Sequence, residues 1–491
     1  MPFRIPTPVL TPLLLLTAVL GGPAPAPAQV PVDTEMALRL IDEGMERSQA
    51  LDLFHTLTDV YGPRLTGSPE YDRAAEWARD RFAEWGLADA RLEPFEFGRG
   101  WTLDKLSTEM IAPRYAPLIA YAEAWTPSLD GVAEGPIVYV GESSADEIRA
   151  MSTQLRGAIV FTHQPQQGFR DEDRPQPGLS DDPIRTGNPP RIPVQAALPN
   201  GELRELLQEA GAAVLVRPSH YRDGTVGVLG NRSTPDDAVP SVILSAEQYN
   251  LLVRLAQRGE TPGVRIELRT RYDDETRTFN VLADIPGTDP EVGDEVVLVG
   301  GHLDSWHTAV GATDNGDGVL AVMEAARLLA AVGAQPRRTI RFALWSGEEQ
   351  GLLGARAYIE QHLSDEAARD RFSVYLNDDP GSGGSLGFYM EENEPAKALF
   401  DAWLEPLSDL GVTRNIIESI GSTDHVPFNQ AGLPGFNVIK DFEAYDERTR
   451  HTNADYPERM SEDELKQQAI FLAHFAWQAA QMEGRMPRTG G

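Results

Sequence analysis

The pattern of apolar and polar positions divides the chain into parts of different character. Residues 35–60 carry apolar side chains at helical spacing, and a second amphipathic stretch ends at Gly86. Glu93 to Phe97 has the composition of a strand. Between residues 111 and 275, short β runs alternate with loops and helical runs are fewer. From residue 279 onward, strand and helix patterns alternate regularly, which is typical of an α/β domain.

The last part of the chain predicts the main sheet. Its apolar runs suit strands that are buried on both faces, as in parallel sheets. We therefore expect an α/β fold with an open, mixed but mostly parallel sheet flanked by helices, and with an inserted, mostly β domain. The predicted strands cover residues 296–299, 339–345, 372–376 and 436–439, and the predicted helices cover residues 319–332, 352–362 and 465–482.

Length and the N-terminal pattern predict two domains after a leader. The leader resembles a cleaved secretory signal, since Arg4 gives a positive start, Val9 to Leu20 an apolar core, and Ala26-Pro27-Ala28 a small-residue cleavage site. A membrane anchor is the alternative, but the apolar run is short and Pro12 interrupts it. The predicted organisation is a signal peptide over 1–28, a first part of the main domain over 29–110, an insert over 111–275, and the rest of the main domain over 276–485.

Composition narrows the choice of partners and compartment. The chain has 75 acidic and 43 basic residues and a net charge of −32, so nucleic acid and anionic membrane surfaces are poor partners. After the leader no segment is long and apolar enough to act as a transmembrane anchor. The chain has no cysteine and therefore no disulfide. Export without cysteine favours a secreted or periplasmic bacterial protein.

Imidazoles and carboxylates follow the predicted strands of the last part. Open α/β sheets place their functional groups at that edge of the sheet. Nitrogen and oxygen ligands without thiolates suit zinc, and Co²⁺ or Mn²⁺ would also fit. Each residue alone has an ordinary explanation, such as a helix cap or a turn, but the ordered set favours a metal site. The residues are His302, Asp304, Asp314, Glu348, Glu349, Asp379 and His451.

Charge balance favours two metal ions over one. Asp314, Glu349 and Asp379 supply three negative charges, and a bridging hydroxide would add a fourth, which two divalent cations neutralise. A single zinc would leave surplus ligands and no open position. Two metals about 3.5–4 Å apart could share Asp314 and activate a water. Because neighbouring side chains point different ways, Glu348 and Glu349 are expected to divide metal binding and contact with the water.

In this order the residues resemble the zinc peptidase family M28, and within it the branch of aminopeptidases and plasma glutamate carboxypeptidases. The insert resembles a protease-associated domain. The resemblance rests on Gly301-His302-Leu303-Asp304-Ser305, Gly311-Ala312-Thr313-Asp314-Asn315, Trp345-Ser346-Gly347-Glu348-Glu349-Gln350-Gly351, Asn377-Asp378-Asp379, His451-Thr452-Asn453-Ala454-Asp455 and the early Gly62-Pro63-Arg64-Leu65-Thr66-Gly67-Ser68.

The resemblance implies a role for each residue. Glu348 would be the general base for a metal-activated water, and Asp304 would orient His302. Asp378 is the alternative to Asp379 as a ligand, because the two carboxylates are adjacent. The loop Gly421-Ser422-Thr423-Asp424-His425 resembles a loop near the site and receives no role. The implied ligands are His302 and Asp379 for one zinc, Glu349 and His451 for the other, and Asp314 between them.

The expected function is that of a secreted di-zinc exopeptidase that hydrolyses N-terminal residues from peptides or dipeptides. Acidic residues near the site could bind the substrate ammonium, namely Glu391, Glu392, Glu394, Asp441, Glu443, Asp446 and Glu447. Arg448 and Arg450 could instead bind a terminal carboxylate, as a carboxypeptidase or dipeptidase requires. Glutaminyl cyclase with one zinc and a non-catalytic receptor-like homologue are further alternatives. The insert could shape the cleft or carry the contacts of a homodimer.

Overall fold

The computed structural model describes residues 30–178, 192–379 and 381–488. The predicted signal peptide over 1–28 lies outside these residues. Within the described residues, no helix combines the length and the apolar character that a bilayer crossing needs.

The helices begin where the sequence supplies caps. The Ser68 hydroxyl accepts the Tyr71 N–H at 3.3 Å before the helix that starts at Pro69, and Ser461 and Glu464 cap the last helix reciprocally. The α-helices are α1 (Thr34–Glu46), α2 (Ala50–His55), α3 (Pro69–Glu84), α4 (Ala145–Ala150), α5 (Ser152–Leu155), α6 (Asn200–Ala210), α7 (Ala246–Gln257), α8 (Asp317–Ala331), α9 (Leu353–His362), α10 (Glu366–Asp370), α11 (Glu394–Leu404), α12 (His425–Gln430) and α13 (Glu462–Gln481).

The strands join into one continuous mixed sheet in the described part of the chain. Their order is β12-β13-β11-β9-β10-β8-β4-β5-β6-β7-β3, and β1 pairs with β8 and β2. The strands are β1 (Ala88–Ala112), β2 (Ala116–Pro117), β3 (Ala120–Ala122), β4 (Val132–Tyr139), β5 (Ile159–Phe161), β6 (Val214–Pro218), β7 (Ser241–Leu244), β8 (Gly263–Ile285), β9 (Val296–His302), β10 (Thr339–Trp345), β11 (Phe372–Asn377), β12 (Ser382–Tyr389) and β13 (Gly435–Asp441).

The centre of the main domain confirms the predicted α/β architecture. β10, β9, β11 and β13 run parallel to one another, whereas β8 and β12 close the two sides antiparallel. The four strands predicted in this part are present as β9, β10, β11 and β13. The three predicted helices are α8, α9 and α13, with ends displaced by three residues or fewer.

A long antiparallel ribbon joins the main domain to the insert. β1 and β8 span 25 and 23 residues and pair from Ala88 opposite Asp284 to Ala112 opposite Gly263. The pattern predicted only Glu93 to Phe97 of this ribbon, because charged and apolar positions are interleaved with register shifts along it. The insert also contains more helix than its pattern predicted, since α7 follows β7 there.

The insert contains a small parallel sheet of its own strands. β4, β5, β6 and β7 run parallel in that order, while β3 pairs with β7 antiparallel. β4 also pairs with β8, so the sheets of both parts meet through the ribbon. The limits of 111 and 275 for the insert stay a prediction.

An aromatic cluster packs behind the centre of the main sheet, and it generates a stability prediction. Phe428 is fully buried, with its ring centroid 4.7 Å from that of Tyr375 and 5.4 Å from that of Phe372. We expect Phe428→Ala to lower the free energy of unfolding by about 3–5 kcal/mol, because it leaves a cavity in this cluster. Urea denaturation measures the change.

The control is Leu38→Ala in α1, where the side chain is 62% exposed. This variant should stay within about 0.5 kcal/mol of the unchanged protein. Equal losses in the two variants would contradict the account of the core.

Candidate metal centre

Three neighbouring strands deliver the first candidate residues to one edge of the sheet. β9 ends at His302, β10 ends at Trp345 just before Glu348, and β11 ends at Asn377 just before Asp379. Trp345 lies opposite His302 and Asn377 opposite Gly300, so the strand ends are in register. The carboxyl edge of the sheet therefore gathers side chains that are far apart in the sequence.

Two tight turns add the remaining candidates. Asp314 lies in the turn Ala312–Gly316 directly before α8, where Asp314 and Asn315 have non-helical backbone angles and the peptide between them is cis. His451 follows a second turn, Tyr445–Thr449. Helical periodicity does not reveal such turns, so their residues could be predicted from the sequence but their backbone form could not.

The candidate ligands converge into two groups that share Asp314. In the first, His302 Nε2 lies 3.4 Å from Asp314 Oδ1 and 3.6 Å from Asp379 Oδ1. In the second, His451 Nε2 lies 3.2 Å from Asp314 Oδ2 and 3.0 Å from Glu349 Oε2. Ligand atoms within each group are no more than 4.8 Å apart. Each oxygen of Asp314 thus faces a different group, as in a carboxylate that bridges two cations.

The chemistry of the two groups fits bound metal ions. His302 Nε2, Asp314 Oδ2, Glu349 Oε1 and Asp379 Oδ1 are buried and have no hydrogen-bond partner in the described residues. Buried polar atoms are normally paired, because burial without a partner costs free energy. Imidazole nitrogen and carboxylate oxygen are the ligands zinc takes in catalytic sites. A cation in each group would give these atoms their partners.

The charges of the site also favour a cation. Burial raises the pKa of Glu348 well above its ordinary value; the His302 charge opposes this rise, whereas Glu349 and Asp379 add to it. Burial alone would lower the pKa of His451, but the Glu349 and Asp314 carboxylates raise it to about 9. An excess of buried negative charge therefore surrounds the two groups.

Asp455 holds the loop of the shared carboxylate. Its Oδ1 accepts the Thr313 N–H at 2.7 Å and the Thr313 hydroxyl at 2.8 Å, and its Oδ2 accepts the Asp314 N–H at 3.2 Å. The neighbouring Asn315 amide donates to the Asp378 carbonyl at 2.8 Å. Asp455 is the last residue of the motif that begins at His451. The motif therefore pointed to this residue, but its role is visible only in the hydrogen bonds of the structure.

The structure changes the expected role of Asp304. The ring nitrogen Nδ1 of His302 lies 2.9 Å from the main-chain oxygen of Asp304 and 3.7 Å from its carboxylate. The carboxylate instead accepts the N–H groups of Glu348 and Glu349 at 3.2 and 3.3 Å. The chain turns after His302, so that the main-chain carbonyl of Asp304, two residues further on, reaches the His302 ring. Asp304 therefore orients His302 through its backbone and the Glu348-Glu349 turn through its side chain.

Asp379, not Asp378, faces the first group. The Asp378 carboxylate points to Lys440, whose Nζ lies 2.6 Å away and also contacts Asp317 at 2.8 Å. All three side chains of this ion cluster are fully buried. Adjacent side chains diverge, so the pairing of Asp378 with Lys440 directs Asp379 towards His302.

Arg64 ties the loops around the site together. Its buried guanidinium donates to four main-chain carbonyls at 2.7–2.9 Å, and burial lowers its pKa to about 10. Three of the acceptors, Leu303, Val310 and Gly311, lie between His302 and Asp314 in the chain. The motif Gly62 to Ser68 thus contributes to the site through its arginine.

A cleft of about 440 Å³ opens onto the two groups. Among the described residues, the acids suggested for a substrate ammonium do not line it: Glu391 bonds to the Ile420 N–H, Asp441 bonds to Gln176, and Asp446 pairs with Arg174. Arg450 does line it, whereas the exposed Arg448 does not. Its lining residues are Arg174, Leu229, Gly230, Trp306, Asp314, Glu348, Glu349, Gly351, Leu352, Arg356, Asp379, Gly421, Ser422, Tyr445, Arg450 and His451.

Trp306 contacts the candidate ligands, and no role was predicted for it from the sequence. Its indole N–H donates to Glu349 Oε2 at 2.7 Å, and its ring packs edge-on to His451 and to Trp125. The indole therefore fixes the orientation of Glu349. In the sequence, its position four residues after His302 was the feature that could have indicated a contact with the site.

Comparison with known proteins agrees with this geometry. Residues 280–476 match the model of Peptidase family M28. Carboxypeptidase Q of Mus musculus is 27% identical over 456 residues, which cover 91% of this chain and 88% of that protein. Because the family match begins at residue 280, the resemblance of the insert to a protease-associated domain stays a prediction.

Two solved structures share the fold. The Peptidase M28 precursor from Shewanella amazonensis covers 93% of this chain and 99% of its own, with a TM-score of 0.69 and 24% identity. BSAP, a zinc aminopeptidase from Bacillus subtilis, covers 93% and 97%, with a TM-score of 0.58 and 18% identity. Residues 280–476 thus carry the match to Peptidase family M28, and along most of its length the chain resembles metallo-exopeptidases of that family.

Proposed function

We propose that this chain is an exported di-zinc exopeptidase that cleaves the peptide bond next to a chain end. The observation that carries the proposal is the shared Asp314 carboxylate, with one oxygen towards His302 and the other towards His451. His302 and Asp379 would hold one zinc, and Glu349 and His451 the other. Export rests on the signal-like pattern of residues 1–28.

Glu348 is the proposed proton carrier. Two zinc ions bound by these residues would supply Lewis-acid activation of a water and would stabilise the negative charge on the scissile carbonyl. Glu348 lines the cleft beside Asp314 and Asp379, and it takes the proton of the attacking water. It then gives that proton to the leaving amine. Asp304 keeps the turn in place by accepting the N–H groups of Glu348 and Glu349.

The alternatives differ in metal content and ligand set. Glutaminyl cyclase chemistry would use a single zinc, so a metal count of one would favour it. A receptor-like homologue without activity would have lost ligands or the base. Here all five candidate ligands converge, and Glu348 lies in the same cleft, which supports the peptidase.

A specific observation supports a substrate carboxylate as the end that is recognised. The cleft wall carries Arg174, Arg356 and Arg450, whereas its acidic residues are those of the proposed metal centre. Arg450 follows the turn that precedes His451, and within the described residues its guanidinium makes no hydrogen bond or ion pair. Carboxypeptidase Q of Mus musculus is one relative that aligns along most of the chain. We therefore propose carboxypeptidase or dipeptidase action beside the aminopeptidase expected from the sequence.

We expect Glu348→Gln to keep both zinc ions and to lose roughly 10²–10⁴-fold in kcat, because the amide cannot accept the proton of the water. Metal analysis and turnover of a dipeptide series measure the two quantities. A variant that hydrolyses peptides at a near-normal rate would remove Glu348 from the mechanism.

We expect the two neighbouring aspartates to respond differently to amidation. Asp379→Asn should weaken binding of one zinc by more than the roughly 10–100-fold that loss of an outer contact costs, because a charged ligand is lost. Asp378→Asn should weaken it by roughly 10-fold or less, since Asp378 pairs with Lys440. Zinc titration calorimetry distinguishes them, and the reverse order would make Asp378 the ligand.

The arginines next to His451 provide a test of the chain end. Arg450→Met should lower kcat/KM roughly 10- to 100-fold for dipeptides with a free carboxyl group, since a charged hydrogen bond contributes about 1.5–3 kcal/mol. C-terminal amides should change little. Arg448→Met, at the exposed neighbour outside the cleft, is the matched control. Equal losses on acids and amides would argue against recognition of the carboxylate.

A further inference from the structure

The inserted segment touches the main domain at the loop that carries the last metal ligand. We call residues 441–455 the His451 loop. Two stretches of the insert contact it, residues 173–176 and residues 221–228. Both stretches belong to the described residues, and each makes hydrogen bonds to the loop.

The second stretch pairs with the His451 loop as a short piece of sheet. The Val228 N–H donates to the His451 carbonyl at 3.0 Å, and the Asn453 N–H donates to the Val226 carbonyl at 3.2 Å. An antiparallel bridge between Gly227 and Thr452 lies between these bonds. The backbone on both sides of the ligand is therefore fixed by backbone of the insert.

Side chains strengthen this pairing. The Asn453 side chain accepts the Val226 N–H at 2.7 Å, and the Tyr221 hydroxyl donates to the Arg450 carbonyl at 3.2 Å. Val226 and Val228 are buried in a small apolar cluster with Ile243 of the insert. The pairing edge is thus anchored in the core of the insert.

Residues 173–176 bind the beginning of the His451 loop. The Arg174 guanidinium pairs with the Asp446 carboxylate through two bonds of 2.6 and 2.7 Å and lies 4.3 Å above the Phe442 ring. The Arg174 side chain is 8% exposed and that of Asp446 is fully buried. Asp173 accepts the N–H groups of Ala444 and Glu447 at 2.6 and 2.9 Å. Two-point pairing of this kind sets orientation as well as distance.

The ligand itself needs such support. His451 has φ of 57° and Ala444 has φ of 59°, both in the left-handed region that side chains other than glycine rarely adopt. Backbone in this region persists when the surroundings determine it. On the main domain, His451 contacts the acids Asp314 and Glu349 through its ring. Its main-chain carbonyl accepts the Val228 N–H of the insert, whereas the N–H groups of the neighbouring Arg450 and Thr452 bond to Tyr445 and Thr449 within the loop itself.

We propose that the inserted segment is a positioning element of the second metal group: Arg174 and the edge Val226–Val228 hold the His451 loop so that the His451 ring meets Glu349 and Asp314. This inference rests on the proposed di-zinc function. It assigns the insert a role in metal binding in addition to the cleft wall formed by Leu229 and Gly230.

Zinc titration of the metal-free full chain tests the proposal, with both binding constants as the readout. Arg174→Met should weaken the second zinc at least about 10-fold and leave the first within a few-fold, because an outer contact of one ligand is lost. Arg174→Lys should recover part of the loss. Arg149→Met is the matched control, since Arg149 pairs with Asp146 at an exposed position of α4 in the same insert.

A second variant avoids leaving a buried charge unpaired. Asn453→Ala removes the amide that binds the Val226 N–H and should also weaken the second zinc selectively. A merely structural role would lower the thermal midpoint without changing the ratio of the two zinc affinities. Unchanged affinities in both variants would overturn this inference. If the unaltered protein bound fewer than two zinc ions, the di-zinc function itself would fail instead.

Discussion

The position of the Asp314 carboxylate is the constraint on which the rest of the site depends. Its two oxygens lie 3.4 and 3.2 Å from imidazole nitrogens that are almost 150 residues apart in the chain, His302 and His451. A carboxylate can serve two cations only if its backbone is fixed on both sides. Asp455 binds the Thr313 and Asp314 N–H groups, and Arg64 binds the carbonyls of the preceding loop. The surrounding polar network therefore serves to hold one side chain.

The same principle explains why so many fully buried charges lie outside the ligand set. Lys440 compensates Asp317 at the start of α8 and Asp378 next to the proposed ligand Asp379. Breaking such a cluster leaves an uncompensated charge, which is strongly unfavourable. The cluster thus couples the helix that follows Asp314 to the strand end that carries Asp379. The positions of Asp314 and Asp379 are therefore linked through charge as well as through the sheet.

Local signals made the main-domain prediction accurate. Buried parallel strands are continuous apolar runs, so β9, β10, β11 and β13 could be located, and the ligand motifs follow these strands directly. The ribbon of β1 and β8 was mostly missed because one strand face is exposed and its register shifts. Which of Asp378 and Asp379 faces the first group depends on the ion pair of Asp378 with Lys440. The role of the Asp304 carboxylate depends on a turn some 45 residues further along the chain. Pairings between residues so far apart in the chain do not produce a periodic pattern of apolar and polar positions in the sequence.

The most direct test of the account is an anomalous diffraction map of the zinc-loaded protein, recorded on both sides of the zinc absorption edge. The account predicts two peaks of comparable height about 3.5–4 Å apart, one beside His302 and Asp379, the other beside Glu349 and His451, with Asp314 between them. A single peak, or two peaks that do not share Asp314, would contradict it.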